Sequence, residues 1–366
     1  MRSSGKKKIP WPIVWIGRLL LWVICTLLVL VLGAYEFLYF INKGPSTHFR
    51  DLFVASVMES SAGGILAELY FSDEEIEAIR SRNRTEEIEE ITDASLINIQ
   101  ASDSAATQSD GAEATGVSLE NSDTGVNPGD PDGDGIEIHE VHGETYSGKI
   151  MIVYDPSRVV VSAIPEFTEG YHGWTLQQHV ENNGAVAGIN GGKYEDESGL
   201  GAGGMPEGMV ISRGVVRMGN DGGRYGVYGF NEDNVLIVGK MTAAYAMEIG
   251  IRDSVTFGPA LIVNGKPAQT SGVGGGLNPR TAIGQREDGA VLLLVIEGRK
   301  TSSLGASMAD IIDVMLEYGA VNAANLDGGM SSSMFYDGEI IVDNCTVRDT
   351  RRIPTAFIVL PRETGD

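Results

Sequence analysis

The alternation of apolar and polar positions divides the chain into stretches with different periods. No charge interrupts Leu19 to Tyr35, between Arg18 and Glu36. With the apolar flanks Trp11 to Gly17 and Phe37 to Ile41, this run is long enough to cross a bilayer, for which about 17 to 25 residues suffice. From Thr47 to Phe71 apolar residues recur at helical spacing (Phe49, Leu52, Phe53, Val57, then Ile65, Leu66, Leu69), interrupted at Gly63-Gly64. That pattern predicts a juxtamembrane pair of helices, followed by an acidic helix within Asp73 to Glu90. Gln100 to Asn127 has no period and is rich in Ser, Ala, Thr, Gly and Asp, the pattern of a solvated spacer.

Beyond Ile136 the period shortens to that of strands. Lys149–Tyr154 and Arg158–Ala163 flank Asp155-Pro156-Ser157, and Met209–Ser212 and Val215–Met218 flank Arg213-Gly214. Tyr225–Phe230 and Val235–Val238 form another pair, as do Thr281–Gly284 and Val291–Ile296. Ala260–Val263 runs into Asn264-Gly265, a hairpin signal because both residues tolerate positive φ. Met334–Tyr336 and Glu339–Val342 flank Asp337-Gly338, and Thr355–Leu360 is the final strand. Two helices stand out. Thr175–Asn182 is short; Ser307–Tyr318 places Met308, Ile311, Ile312, Met315 and Leu316 on one face, with a Ser307/Asp310 capping box and Gly319 as its stop. The expected fold is α+β: a strand-dominated mixed sheet core with a few packed helices.

The organisation that follows is a basic tail and anchor (1–44), a helical stalk (45–92), an acidic low-complexity linker (93–135) and a folded domain (136–366). The 366 residues carry a formal net charge of −23, with Lys plus Arg 27 against Asp plus Glu 50. Such an excess disfavours nucleic acid as a partner, since phosphate backbones need a basic face. The charge is uneven. Arg2, Lys6, Lys7, Lys8, Arg18 and Lys43 face only Glu36 in the anchor region, whereas seventeen acids face Arg80, Arg82 and Arg84 between Asp73 and Asp134. A basic flank before the apolar run predicts a single-pass signal-anchor in the cell membrane, with its N-terminus cytoplasmic and the domain extracellular. The long run and its unclean exit, Gly33-Ala34-Tyr35-Glu36, set it apart from a cleaved signal.

Metal chemistry has little support. Asp130, Asp132 and Asp134 alternate as in a calcium loop, but position twelve is Val141 instead of a bidentate Glu, so a charged turn is expected. No His or Cys pair has ligand spacing, so no metal is expected. The two cysteines, Cys25 and Cys345, cannot form an intradomain disulfide, one of them lying in the apolar run. No nucleotide-binding glycine motif occurs, and no cofactor is expected. His172 and His179 lack a G-x-S-x-G partner; His179 is read as a surface or capping residue.

Glycines gather instead in four clusters: Gly188 to Gly192, Gly199 to Gly208, Gly272 to Gly276, and Gly328-Gly329. Such clusters let backbone N–H groups approach an anion, although tight turns explain any one of them alone. Arg280, Arg299 and Arg352 accompany them, and a guanidinium fork suits phosphate.

Gly188-Ile189-Asn190-Gly191-Gly192, Phe257 to Gly265, Asn278-Pro279-Arg280-Thr281, Val295 to Arg299 and Asn322 to Ser332 occur in that order. As a set they resemble the phosphodiester glycosidase family, over about Ile136 to Pro361. The anchor and acidic stalk are similar to those of bacterial, exopolysaccharide-related members. The resemblance implies hydrolysis of a sugar-1-phosphodiester, of the GlcNAc-1-phosphate type, between the anomeric carbon and phosphate. The substrate would be an envelope or extracellular glycopolymer. Departures fall at Lys193, Met330 and Glu297, where the family usually carries Asp.

Such a cleavage passes through an oxocarbenium-like state and needs a carboxylate near the sugar and donors for the phosphate. Asp327 is the first candidate carboxylate, followed by Glu297 and Glu207. Arg280, Arg299 and Arg352 are candidate phosphate holders. Asn190, Gly191, Gly192, Thr281, Asn325, Gly328, Gly329, Ser331 and Ser332 are candidate binding residues. The roles of the individual carboxylates and the oligomeric state stay open, as does the alternative of a non-catalytic carbohydrate- or phosphate-binding module.

Overall fold

The computed structural model describes residues 11–59, 63–99, 130, 133–168, 170–196, 202–344 and 351–362. Cys345, Asp132 and most of the acidic linker lie outside these residues.

The class is α+β, and three sheets carry it. The largest has seven strands, in the order Ile136–His142, Ser147–Val153, Val291–Ile296, Arg280–Arg286, Ala320–Leu326, Ala260–Val263 and Lys266–Pro267. A five-stranded sheet runs Glu339–Asp343, Ser333–Tyr336, Ala187–Asn190, Thr355–Val359, Val159–Ala163. The other five-stranded sheet runs Val215–Met218, Val210–Ser212, Ile251–Val255, Arg224–Asn231, Leu236–Thr242. Every pairing among the described strands is antiparallel, where a mixed sheet was expected. Most expected hairpins close as pairs. The exception is Asp155-Pro156-Ser157, whose flanking strands enter different sheets, so this turn is a crossover.

The strand Val291–Ile296 explains the architecture. Val291, Leu293 and Val295 face a central core that also contains Ile189, Phe230, Leu326 and Phe357. Leu292, Leu294 and Ile296 face an outer core beneath a helix. A strand covered on both faces reads as an unbroken apolar run, because neither side of the pleat meets water. Seven helices of four or more residues are described: α1 (Trp11–Lys43), α2 (Thr47–Met58), α3 (Gly64–Glu68), α4 (Asp73–Arg82), α5 (Leu176–Asn182), α6 (Ala243–Glu248) and α7 (Met308–Glu317). Helix α7 covers that outer core with Ile311, Ile312 and Met315, each worth about 1.5–3 kcal/mol when fully buried. The expected Ser307/Asp310 capping box starts it. Helix α5 covers the sheet containing Thr355–Val359 through Leu176 and Val180.

The stalk does not stand clear of the domain. Val54, Ala67, Tyr70, Phe71, Ile76 and Ile79 form a small core of their own. Asp51 ties α2 to α4, accepting hydrogen bonds from Arg82 and Asn83. The chain then runs along the domain. Glu86 N donates to Gln269 O at 2.8 Å, Thr92 N to Val238 O at 3.1 Å and Asn98 N to Glu287 O at 2.7 Å. Ile97 is buried with Met209 and Ile211, and Glu90 pairs with Lys266. Residues 85–99, expected as the end of the helical stalk and the start of the acidic linker, lie beyond the last stalk helix, Asp73–Arg82, and are a strap. Their isoleucines fill grooves on the domain and their glutamates meet its lysines.

His179 also departs from expectation, being fully buried. Its Nε2 lies 3.0 Å from the Ile353 carbonyl, which can only accept, so Nε2 carries the hydrogen and Nδ1 accepts from Ser162 Oγ at 2.7 Å. Burial pushes its pKa down to about 4, partly offset by the bond to Ile353. The turn before Ile136 is charged, as expected: Gly135 N donates to Asp130, and Ile136 N to Asp134. No cluster of potential metal ligands occurs among the described residues.

Candidate active site

Asp327 follows the strand Ala320–Leu326 at the point where the seven-stranded sheet meets the sheet containing Ala187–Asn190. Two backbone contacts hold it there. Its N–H donates to Gly191 O at 3.2 Å, and its carbonyl accepts from Asn190 Nδ2 at 2.6 Å. Asn190 is itself clamped, its Oδ1 accepting from Thr281 Oγ1 at 2.8 Å and Ser333 N at 3.1 Å. Asn190 and Thr281 therefore position the site by joining two sheets, and their polar atoms are spent on protein partners. Gly191 N and Gly192 N likewise donate to Thr355. A Cβ on Gly191 would lie 2.6 Å from Thr355 O, so glycine is needed there for close approach.

The Asp327 carboxyl opens into a cavity of about 190 Å³ lined by Glu59, Tyr194, Asp196, Arg299, Ser331 and Arg351, with Gly328 to Met330 as its floor. Asp327 is open at the mouth, but the atoms packed around its carboxyl push its pKa up to about 7. Hydrogen bonds from Ser331 and the Gly328 amide, and the Arg351 charge, oppose that rise. A carboxyl titrating near neutrality in a cleft is a signature of acid–base function. Ser331 Oγ also lies 3.0 Å from Tyr194 Oη, to which Arg351 Nε donates at 2.8 Å. Burial, then the Asp327 charge, pushes the Tyr194 phenol up to about 12, so it stays protonated as a donor. Arg351 also pairs with Asp196.

Arg299 forms the opposite wall. It sits at φ +57°, with Nη2 donating to Asn278 Oδ1 at 3.0 Å and to the Glu59 carbonyl at 3.3 Å. Its guanidinium lies over Gly329, where a Cβ would approach Nη1 to 3.5 Å. Asp327, Ser331, Gly328, Gly329 and Arg299 are therefore brought together.

The other candidates lie elsewhere. Glu297 accepts from Lys300 Nζ at 2.9 Å and Ser147 Oγ at 3.3 Å, and Glu207 pairs with Lys193 at 2.5 Å; neither lines the cavity. Arg280 is buried, donating to the carbonyls of Gly275, Gly276 and Ala306 and pairing with Glu59 at 2.6 Å. The cluster Gly272 to Gly276 thus turns two carbonyls toward a cation, the Arg280 guanidinium. Asn325 donates to Gly258 O beneath the loop at Gly258-Pro259. Ser332 Oγ is buried and has no hydrogen-bond partner among the described residues. Arg352 is exposed and donates to Gly173 O, while its neighbour Arg351 faces the cavity. Of two adjacent residues at a strand start, only one can face a given side, and the sequence does not say which.

Tyr194, Asp196 and Glu59 carried no motif. Lys193 to Asp196 follows the glycine pair directly, and that adjacency was the available signal for two of the three.

Residues 183–360 match the family model for phosphodiester glycosidase. The SPbeta prophage-derived uncharacterized protein YomE of Bacillus subtilis (strain 168) is 30% identical over 194 residues, which are 50% of this chain and 27% of that protein. The chain therefore spans about a quarter of that relative's length. Among solved structures, the zebrafish N-acetylglucosamine-1-phosphodiester alpha-N-acetylglucosaminidase catalytic domain, auto-inhibited by its pro-peptide, aligns with TM-score 0.50 at 22% identity. That alignment covers 62% of this chain and 82% of the zebrafish one. Residues 183–360, which contain Asp327 and every described residue lining its pocket except Glu59, thus match the phosphodiester glycosidase family.

Proposed function

We propose that this chain is an exported, membrane-anchored hydrolase that cleaves sugar-1-phosphodiester linkages, of the GlcNAc-1-phosphate type, in envelope or extracellular glycopolymers. The observation that carries this reading is Asp327, a carboxyl with its pKa near 7, facing a small cavity walled by Arg299 and Arg351. In its carboxylate form Asp327 takes the proton of a water attacking the anomeric carbon and stabilises the positive charge developing there. The C1–O bond breaks and its electron pair leaves with the phosphate, whose charge Arg299 and Arg351 hold. Tyr194 donates a hydrogen bond into the same site.

Helix α1 supplies the anchor. Its apolar stretch Trp15–Lys43 is 29 residues long, and every residue from Trp15 to Tyr35 is exposed. The basic flank orients the N-terminus to the cytoplasm and the domain outward. The stalk limits access to the site. The zebrafish domain is auto-inhibited by its pro-peptide. Here Glu59, at the end of α2, lines the cavity, pairs with Arg280 and offers its carbonyl to Arg299.

The test is turnover of a GlcNAc-1-phosphodiester panel by the full-length chain in detergent. Release of GlcNAc is expected, with kcat/KM rising as pH increases through about 7, because the carboxylate is the active form. Asp327→Asn is expected to lose about 10²–10⁴-fold, the usual span for a general base. Binding without turnover across the panel would identify a carbohydrate-binding module instead.

A further inference from the structure

We propose that the stalk is a membrane-surface element: the face formed by Phe49, Ile65, Leu66 and Leu69 lies in the headgroup region of the bilayer that α1 enters. This rests on reading α1 as a retained anchor. Phe49, Ile65 and Leu69 are 62%, 65% and 64% exposed, while Val54 and Ala67 on the same two helices are completely buried. The stalk thus has a finished core of its own and, beside it, large apolar side chains that no described residue covers. Exposed aliphatic groups gathered in this way mark an interaction surface.

The position of this face along α1 identifies its occupant. The Tyr70 ring stacks on Tyr35 with centroids 5.8 Å apart, and Tyr70 Oη donates to the Tyr35 carbonyl at 3.3 Å. Leu38 packs against the stalk core, and Lys43 Nζ lies 4.3 Å from the centre of the Phe71 ring. From Trp15 to Tyr35 a helix rises about 30 Å, the thickness of the hydrocarbon layer. Tyr35 therefore stands at the outer edge of that layer, where tyrosines concentrate. Tyr70 and Phe71 touch α1 from that level to its end, and Leu69 and Ile65 precede them directly. The exposed face continues the apolar surface of α1 at the depth where amphipathic segments sink about 5–10 Å into the headgroup boundary. The stalk also carries Glu59, which lines the Asp327 cavity. A stalk lying on the bilayer brings the site to the membrane surface and selects phosphodiesters carried there.

The full-length chain in nanodiscs, one chain per disc, tests this. In a Cys25→Ala, Cys345→Ser background, single cysteines at Leu28→Cys, Ile65→Cys, Leu69→Cys and Val215→Cys carry an environment-sensitive fluorophore. The lipids carry a nitroxide either near the headgroup or deep in the chain. Deep nitroxide is expected to quench the Leu28 site. Shallow nitroxide is expected to quench the Ile65 and Leu69 sites several-fold more than the Val215 site, which is 56% exposed on a distant hairpin. Quenching at Leu28, with Ile65 and Leu69 matching Val215, overturns the proposal and leaves the anchor standing. No quenching at Leu28 removes the anchor and the proposal together. A blue-shifted Ile65 site that lipid nitroxide does not quench indicates a protein partner and equally overturns it.

Discussion

At the scale of single residues, the site depends on which of several similar side chains reaches the cavity. Asp327 was legible because a carboxyl at a strand end beside two glycines is well placed for chemistry, and its raised pKa follows from the packing around it. The arginines were legible only as a group. Arg351 and Arg352 are adjacent, yet one reaches Tyr194 and Asp196 beside Asp327 while the other caps Gly173 at the surface. Arg351→Ala is accordingly expected to lower kcat/KM by about 10²-fold, as for loss of a donor to developing charge. Arg352→Ala should stay within about threefold, since a surface polar contact has little effect. Equal losses from both would show that the cation is not specific to the cavity. Glu297 and Glu207 are engaged by Lys300 and Lys193, so Gln at either position is expected to retain activity within about tenfold; a loss matching that of Asp327→Asn would place them in the chemistry.

Among the elements, the stalk helices have the largest consequences. Their apolar spacing was readable, and so was the break at Gly63-Gly64. Their docking was not, because it depends on single polar contacts from distant segments. Ser56 Oγ accepts from Leu277 N at 2.9 Å, and Asn83 Oδ1 from Val273 N at 2.9 Å. At Gly276 a Cβ would sit 2.5 Å from Ser56 N, so this glycine is there to admit α2. Glu59 at the end of α2 sits between Arg280 and Arg299, where an anionic substrate would compete with it. Glu59→Ala is expected to raise kcat/KM several-fold in the same turnover assay; no change would remove the gating role. Gly276→Val should loosen the stalk, measured as faster protease cleavage between residues 45 and 99, with the domain fragment remaining folded. The domain hairpins need no such contacts. Asn264-Gly265 and Asp337-Gly338 turn the chain with positive φ at both residues of each pair.

Across the whole molecule, two ionisable groups, the buried His179 and the closely packed Asp327, couple stability to pH in opposite directions. His179 has its pKa lowered from 6.5 to about 4. Between those values the unfolded chain binds the extra proton, so stability falls as pH drops, by about 3 kcal/mol over the window. Asp327 has its pKa raised from 3.8 to about 7, so between those values the folded chain holds the extra proton and stability rises as pH drops. The two largely offset one another between pH 4 and 6.5. Asp327→Asn removes one side, and denaturant titrations of that variant should show stability falling from pH 6.5 to 4 more steeply than in the parent. Parallel curves would mean that one of the two carboxyl and imidazole environments is not as described. By itself, the sequence determined the apolar run, the strand and helix segments and the tight turns, and it singled out Asp327 as a candidate. Each of these is dictated by backbone geometry and side-chain period within a few neighbours. Only the tertiary structure decided the order of strands in the sheets, the burial of His179, the cavity-facing arginine and the laying of the stalk over the site. Those depend on surfaces meeting across more than a hundred residues of chain, and no local period encodes that meeting.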